Sequence, residues 1–284
     1  MQDYINYING DWEKASKSKV PLNDAGFLLG DGLFETVRFE NKKLFQPEKH
    51  LNRMHTSLKH IHLNLESSDS EIIRLLTNII KKNELEAGLL RLMVTRGNVE
   101  GPPWKYTGSA SVYINIRPLS PEPILPVKVV FYPEKKYPII RYTPAIKSLN
   151  YMGNMLAKKD AEKEGAFEPI FYNRDGHITE CAIRNVFFIQ GDTLLTPSTN
   201  LGVLPGIMRG TIMSIANELN LTIEDANISI ESINDMDEAF ISSTGIGLLP
   251  CFWDGWQSDF TITAKLKKRM EILIDYEETK RVTE

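Results

Sequence analysis

The chain has 284 residues, 42% of them hydrophobic, and its 33 Lys and Arg against 37 Asp and Glu leave a formal net charge of −4. That length and apolar content suffice for one large domain or two ordinary ones with substantial cores. The basic residues are scattered without patch or stripe, which argues against nucleic acid as a partner, and no window is apolar for long enough to span a bilayer. Small-molecule chemistry is the expectation. Residues 1–6 carry neither a basic n-region nor an apolar h-region, so a cytoplasmic location is expected. Cys181 and Cys251 are too few for a disulfide framework or a four-cysteine metal site and read as buried thiols.

Residues 4–9 alternate apolar and polar, as do residues 34–39 before a turn at 40–43 and the pair Leu44-Phe45; strands are predicted, the second closing a hairpin. Pro47 opens a stretch in which Leu51, Met54, Leu58 and Ile61 recur at helical spacing. Ile72, Leu75, Leu76, Ile79 and Ile80 repeat the pattern, and two amphipathic helices follow. Residues 89–95 and 110–116 are short runs rich in Val and Ile and read as strands. Residues 1–117 are therefore expected to form a small α+β domain. Pro118, Pro121, Pro123 and Pro126 can neither continue a helix nor sit in a central strand, and mark 118–126 as an interdomain linker.

Beyond the linker, residues 127–132 read as a strand and 152–163 as a helix stopped near Gly165. Residues 168–172 and 177–181 flank Asn173-Arg174-Asp175-Gly176, in which Asp-Gly is a hairpin signal. A second hairpin turns at Gly191-Asp192, a helix begins at Gly206 and runs to about residue 219, and 238–242 is a short strand. Residues 127–284 make the larger, mixed α/β domain, so the fold class is α/β with two unequal lobes.

Lys147 stands between apolar neighbours in Ala145-Ile146-Lys147-Ser148-Leu149-Asn150-Tyr151, well before the carboxylate of Ile178-Thr179-Glu180-Cys181. A solitary lysine is ordinarily a solvated charge, but a poorly hydrated one supplies the neutral amine that Schiff-base chemistry needs. His50, His55, His60 and His62 are numerous enough for a metal, yet helical geometry spreads the first three over several faces with no carboxylate at ligand spacing. A solvated histidine face is expected, and no metal. Gly30-Asp31-Gly32 and Gly245-Ile246-Gly247 complete neither a dinucleotide nor a P-loop pattern, and there is no Gly-x-Ser-x-Gly elbow. Leu204-Pro205-Gly206-Ile207-Met208 opens a helix whose unpaired N–H groups and positive dipole end suit phosphate. Ser242-Ser243-Thr244-Gly245 puts hydroxyls after a strand, and Arg53 offers a bidentate cation. Singly, each of these reads equally as a cap, a turn or a solvated arginine.

Seven ordered blocks join these residues: 30–38, 50–54, 147–151, Thr179-Glu180 through Asn185-Val186-Phe187, Thr196-Pro197, 204–209 and 242–244. Over almost its whole length the chain resembles the class IV aminotransferases, pyridoxal-phosphate enzymes of fold type IV. The resemblance implies a Lys147 Schiff base to pyridoxal 5'-phosphate, Glu180 beside the pyridine nitrogen and Tyr151 on the ring hydroxyl. It places Arg53, Leu204, Gly206, Ile207, Met208, Ser243 and Thr244 around the phosphate, in an active site between the lobes and across a homodimer interface. The roles are chemically coherent. A carboxylate beside the pyridine nitrogen favours the protonated ring, which makes a better electron sink, and a lysine displaced by substrate amine is a ready general base.

The implied reaction transfers an amino group between an amino acid, of the D- or branched-chain type, and a 2-oxo acid. The alternative is 4-amino-4-deoxychorismate lyase, releasing pyruvate and 4-aminobenzoate with the same lysine and cofactor. D-amino-acid transaminases carry an Arg-x-His pair where this chain has Gly97-Asn98-Val99-Glu100-Gly101-Pro102-Pro103-Trp104. Branched-chain enzymes have an arginine matching Arg91 but a tyrosine where Leu89 stands. The lyases share the Phe-Glu-Thr, Thr-Glu-Cys and Gly-Ile-Met-Arg runs present here. Arg91 and Arg184 are the expected carboxylate binders, the competing reading for each being an internal salt bridge. Phe34, Trp104 and Tyr106 are expected apolar walls, with Gly245 also assigned to the substrate.

Overall fold

A computed structural model of the protein describes residues 2–102, 109–121, 123 and 126–280, the side chains of 275–280 excepted; Trp104 and Tyr106 lie outside the described residues. The fold is mixed α/β and contains two sheets. Contacts divide the chain into two compact units. The first takes the chain up to Ser120, Ile146–Leu149 and the last turn of the C-terminal helix; the second takes Pro121–Ala145 and Asn150–Tyr276.

In the first unit, β1 (Ile5–Ile8) and β2 (Asp11–Lys14) form a hairpin, followed by the short helix α1 (Ala25–Leu29), β3 (Gly32–Glu40) and β4 (Lys43–Leu44). Helices α2 (Pro47–His60) and α3 (Asp69–Asn83) precede β5 (Gly88–Thr95) and β6 (Ser111–Arg117). The strands pair antiparallel in the order β2-β1-β6-β5-β3-β4. Period-two alternation sends Leu33, Val37 and Phe39, with Leu90, Leu92 and Val94 of β5, into one core with Leu51, Met54 and Leu58 of α2 and Ile72, Leu76 and Ile79 of α3. By the same alternation Phe34 and Thr36, and Arg91 opposite Thr36, occupy the other face. Ser68 and Glu71 close a reciprocal capping box that starts α3.

The second unit holds β7 (Val127–Pro133), α4 (Met152–Lys163), β8 (Glu168–Tyr172), β9 (Ile178–Cys181), β10 (Asn185–Gln190) and β11 (Thr193–Pro197). Then come α5 (Ile207–Glu218), β12 (Thr222–Ala226), β13 (Glu238–Ser243), β14 (Gly247–Phe252) and α6 (Thr261–Lys280). Its sheet runs β12-β11-β10-β13-β14-β7-β8-β9, parallel at β11/β12, β14/β7 and β7/β8 and antiparallel elsewhere. Val129, Ile170, Val186, Phe188, Ile241 and Leu249 are buried in its core. Sequence periodicity leaves β2, α1, β12, β14 and α6 undetected. The start of α6 is stabilised from outside the helix, where the Glu238 carboxylate accepts from the Ile262 and Thr263 N–H groups at 2.7 Å each. Among the described residues, no helix is long and apolar enough to cross a membrane.

Candidate active site

Lys147 belongs to a short segment that extends the first unit's sheet at the open edge of β3. The Phe34 N–H donates to the Lys147 carbonyl at 2.9 Å, and the Leu149 N–H donates to the Gly32 carbonyl at 3.0 Å. Close approach here requires glycine: a Cβ on Gly32 would lie 2.7 Å from the Val94 carbonyl oxygen and 2.8 Å from a Leu149 methyl. The arrangement puts Lys147 Nζ 4.5 Å from the centroid of the Phe34 ring, which also carries Arg91, its Cζ at 3.8 Å. Three residues singled out in the sequence therefore meet around one buried aromatic ring.

Arg53 projects from α2 toward β3, where Glu35 shares the core-facing side with Leu33 and Val37. Its Nε donates to Glu35 Oε1 at 2.8 Å and its Nη2 to Oε2 at 2.6 Å. His50 Nδ1 lies 2.7 Å from the same Oε2. Burial pushes the Glu35 carboxyl up, but the Arg53 charge and the His50 and Arg53 hydrogen bonds override it and hold it at about 2. Burial likewise drives the His50 ring below its ordinary value, Glu35 opposing and the Arg53 and Lys147 charges reinforcing the shift. The solvated face expected for the histidines does not extend to His50, which is fully buried. It lies one and two helical steps from Met54 and Leu58 on the packed side of α2.

In the second unit, Glu180 sits near the end of β9 with both carboxylate oxygens engaged. Arg141 Nη1 donates to Oε1, and the Leu204 N–H donates to Oε2 at 3.3 Å. Arg141 is anchored in turn by Glu134, whose Oε1 accepts from Nε at 2.8 Å, and by the Thr179 hydroxyl, which accepts from Nη2 at 3.1 Å. Burial alone would weaken the Arg141 charge, but the Glu180 and Glu134 carboxylates hold its guanidinium more firmly protonated than usual. Asn185, at the start of β10, ties the 204–206 loop to the sheet through its Nδ2, which donates to the Leu204 carbonyl at 3.0 Å. Glycine suits position 206, because a Cβ would stand 2.0 Å from Asn185 Oδ1 and the asparagine or the loop would have to move. Gly206 begins α5 with no side-chain cap, so the N–H groups around Ile207 and Met208 keep their polarity at a helix N-terminus. Asn185 also pairs with Ser242 across β10 and β13. The Ser242 hydroxyl is buried without a hydrogen-bond partner among the described residues, and half-buried Ser243, Thr244 and Gly245 follow it in the turn to β14.

Arg184 takes the other course open to it. Its Nη1 donates to the fully buried Glu168, which also accepts from the Ile183 N–H at 3.0 Å, and its Cζ lies 4.6 Å from the Phe167 ring centroid. The guanidinium expected to meet substrate is matched inside the second unit, because the tight corner between β9 and β10 turns it toward β8. Tyr151 sits half-buried at the start of α4. Arg141, Glu134 and the role of Asn185 were missed in the sequence; Arg141 lies in an irregular stretch without periodicity to mark its direction. Glu35 carried a signal, a carboxylate in phase with Leu33 and Val37.

These residues fit a phosphorylated pyridine aldehyde. In the first unit a lysine rests against an aromatic ring; in the second, taken by itself, a carboxylate is held by two donors and a helix opens at a glycine closely faced by Asn185. A family model for the class IV amino-transferases matches residues 32–251. The chain belongs to that family and is, by membership, a pyridoxal-phosphate-dependent transferase. A putative branched-chain-amino-acid aminotransferase of Methanocaldococcus jannaschii is 27% identical over 250 residues, covering 87% of this chain and 86% of the relative. A D-alanine aminotransferase of Staphylococcus aureus is 31% identical over 259 residues, 86% of each. Two crystal structures, at lower identity, attest the fold alone. The branched-chain aminotransferase of Thermoproteus uzoniensis superposes with a TM-score of 0.88 at 22% identity, covering 95% of this chain and 94% of that one. A putative 4-amino-4-deoxychorismate lyase of Legionella pneumophila superposes with 0.81 at 24%, covering 89% and 94%.

Proposed function

We propose that the protein transfers an amino group between an amino acid of the D- or branched-chain type and a 2-oxo acid, with Lys147 as the residue that carries the cofactor and moves the proton. The observation that carries this reading is the convergence of Lys147 and Arg91 on the Phe34 ring, at 4.5 and 3.8 Å from its centroid. It supports the reading because an amine and a cation able to bind a carboxylate stand on one aromatic ring. When bound, pyridoxal phosphate supplies an electrophilic carbon and a ring that accepts the electron pair released at the substrate α-carbon. Lys147 Nζ would hold the cofactor covalently and, once freed by the substrate amine, would serve as the base that moves the α-proton. Arg91 orients the substrate carboxylate. The residues that would hold the cofactor are Glu180 for the pyridine nitrogen, Tyr151 for the ring hydroxyl, and Arg53, the 204–208 loop and Ser243-Thr244 for the phosphate.

We further assign the protein to the cytoplasm, in keeping with two unpaired buried thiols, and to a homodimer. Leu22, Phe27 and Leu28 expose 77%, 66% and 51% of their surfaces around α1, an apolar area that a second copy would cover.

The test mixes the yellow purified enzyme separately with D-alanine, D-glutamate, L-leucine, L-glutamate and aminodeoxychorismate, following loss of the yellow band, 2-oxo acid formation and pyruvate release. One or more of the four amino acids should bleach the band and yield its 2-oxo acid. Reaction with aminodeoxychorismate alone, releasing pyruvate and 4-aminobenzoate, would replace transfer by the lyase reaction. Turnover retained in Lys147→Ala would refute the role of the lysine.

A further inference from the structure

Glu35 and His50 have no task in the chemistry above, yet both are buried, Glu35 pairing with Arg53 and His50 with Glu35. The Glu35 side chain is 1% exposed on the apolar side of β3, where an ion pair is a costly way to hold a core together. Its two oxygens take two N–H groups of Arg53, at 2.8 and 2.6 Å, which fixes the plane as well as the position of the guanidinium. A carboxylate only accepts, so His50 Nδ1 must carry the proton of the 2.7 Å contact with Oε2. In the neutral ring Nε2 then bears the lone pair, and it is buried with no hydrogen-bond partner among the described residues. A side chain kept for packing alone would not strand a polar atom in this way; an apolar residue of similar volume fills the space without that cost. His50 and Arg53 stand three residues apart on α2, so one helical face presents both to Glu35. Around His50 the charged groups are Glu35 from β3, Arg53 from its own helix and Lys147 from the 146–149 segment.

We propose that Glu35 and His50 are positioning residues for phosphate capture: Glu35 locks the plane of the Arg53 guanidinium, and the His50 Nδ1–H locks the carboxylate of Glu35. The inference rests on Arg53 binding the cofactor phosphate. Neither residue touches the reacting carbon. Their effect falls on ligands that carry a phosphate and spares those that lack one.

The test compares dissociation constants of pyridoxal phosphate and pyridoxal, which share ring and aldehyde, for the cofactor-stripped full-length chain and its variants. Glu35→Gln and His50→Leu should lose about 10- to 100-fold in affinity for pyridoxal phosphate, as when the support behind a liganding side chain is removed, with little change for pyridoxal. His50→Asn, which keeps an N–H near Nδ1, should retain most of the selectivity. Equal losses for both ligands, or none for either, would overturn the proposal. A wild-type chain that does not prefer pyridoxal phosphate over pyridoxal would instead refute phosphate binding itself. Should the variants not fold, nitrogen-15 spectra of the wild-type chain during titration with inorganic phosphate decide the matter. His50 ring resonances should shift in step with Arg53 Nε–H, and their constancy while Arg53 responds would overturn the proposal.

Discussion

Arg141 and Glu180 form a half-buried ion pair within the second unit, the guanidinium donating through Nη1 to Oε1 while the Leu204 N–H holds Oε2. A carboxylate gripped at both oxygens has one orientation, and its direction no longer depends on a bound ligand. Arg141→Met leaves the Leu204 contact alone. With a substrate that bleaches the yellow band, the single-turnover rate should fall about 10- to 100-fold, in line with one charged hydrogen bond lost from a preorganised site. An unchanged rate would mean that Glu180 keeps its geometry without Arg141.

Gly206→Ala places a methyl group 2.0 Å from Asn185 Oδ1, so either the loop or the asparagine must move. Overpacking of this kind costs about 1–3 kcal/mol. Thermal unfolding should register that loss without cofactor. With pyridoxal phosphate the gap between variant and wild type should widen, because the displaced loop opens α5.

Glu168→Leu removes the carboxylate that pairs with both Arg184 and Lys158 and leaves Arg184 without its partner in a half-buried place. Urea unfolding should show a loss of about 3–5 kcal/mol. Pairing it with Arg184→Met removes both charges and should restore most of that stability. A double variant as unstable as the single one would mean that the corner needs the ion pair itself.

Acid should weaken the first unit in two separable steps. Glu35 is held at about 2 against an ordinary 4.5, so the unfolded chain binds its proton first, and the stability Glu35 contributes is lost as pH falls from 4.5 toward 2. His50 is held below its ordinary 6.5, so the unfolded chain again binds the proton more readily, and stability declines as pH drops below 6.5. In urea midpoints measured across pH, His50→Asn should flatten the decline just below 6.5, and Glu35→Gln the decline below 4.5. Slopes identical to wild type in both windows would contradict the assignment.

Cys181 and Cys251 are both buried, and burial pushes both thiols well above their ordinary value. A thiolate-selective reagent should leave the native protein unmodified and label two thiols per chain in denaturant. Rapid labelling of the native enzyme would reveal opening of the β9 or β14 region.

Local periodicity made much of the fold legible. Alternation across residues 34–39 and helical spacing from Leu51 to Ile80 are properties of neighbouring residues, and burial follows from them directly. The same phase sets Glu35 beside Leu33 and Val37 and His50 in line with Met54 and Leu58, against the solvated face expected for the histidines; it did not say that the two would meet. Strand β12 escaped detection because its partner β11 lies across α5 in the chain and its own pattern is weak, and β14, although it follows β13 directly, because Pro250 interrupts its short apolar run. Arg184 illustrates the limit for charged groups: the sequence left open whether it met a substrate or an internal carboxylate, and only the turn between β9 and β10 brought it to Glu168.

By itself, then, the sequence determined the residue types, their order and the family, since seven ordered blocks survive without knowledge of any contact. Tertiary structure alone decided which charges neutralise one another. Ion pairs such as Arg141 with Glu180 and Arg53 with Glu35 join positions far apart in the chain, and their energies depend on distances of a few ångströms and on burial, neither of which local periodicity encodes.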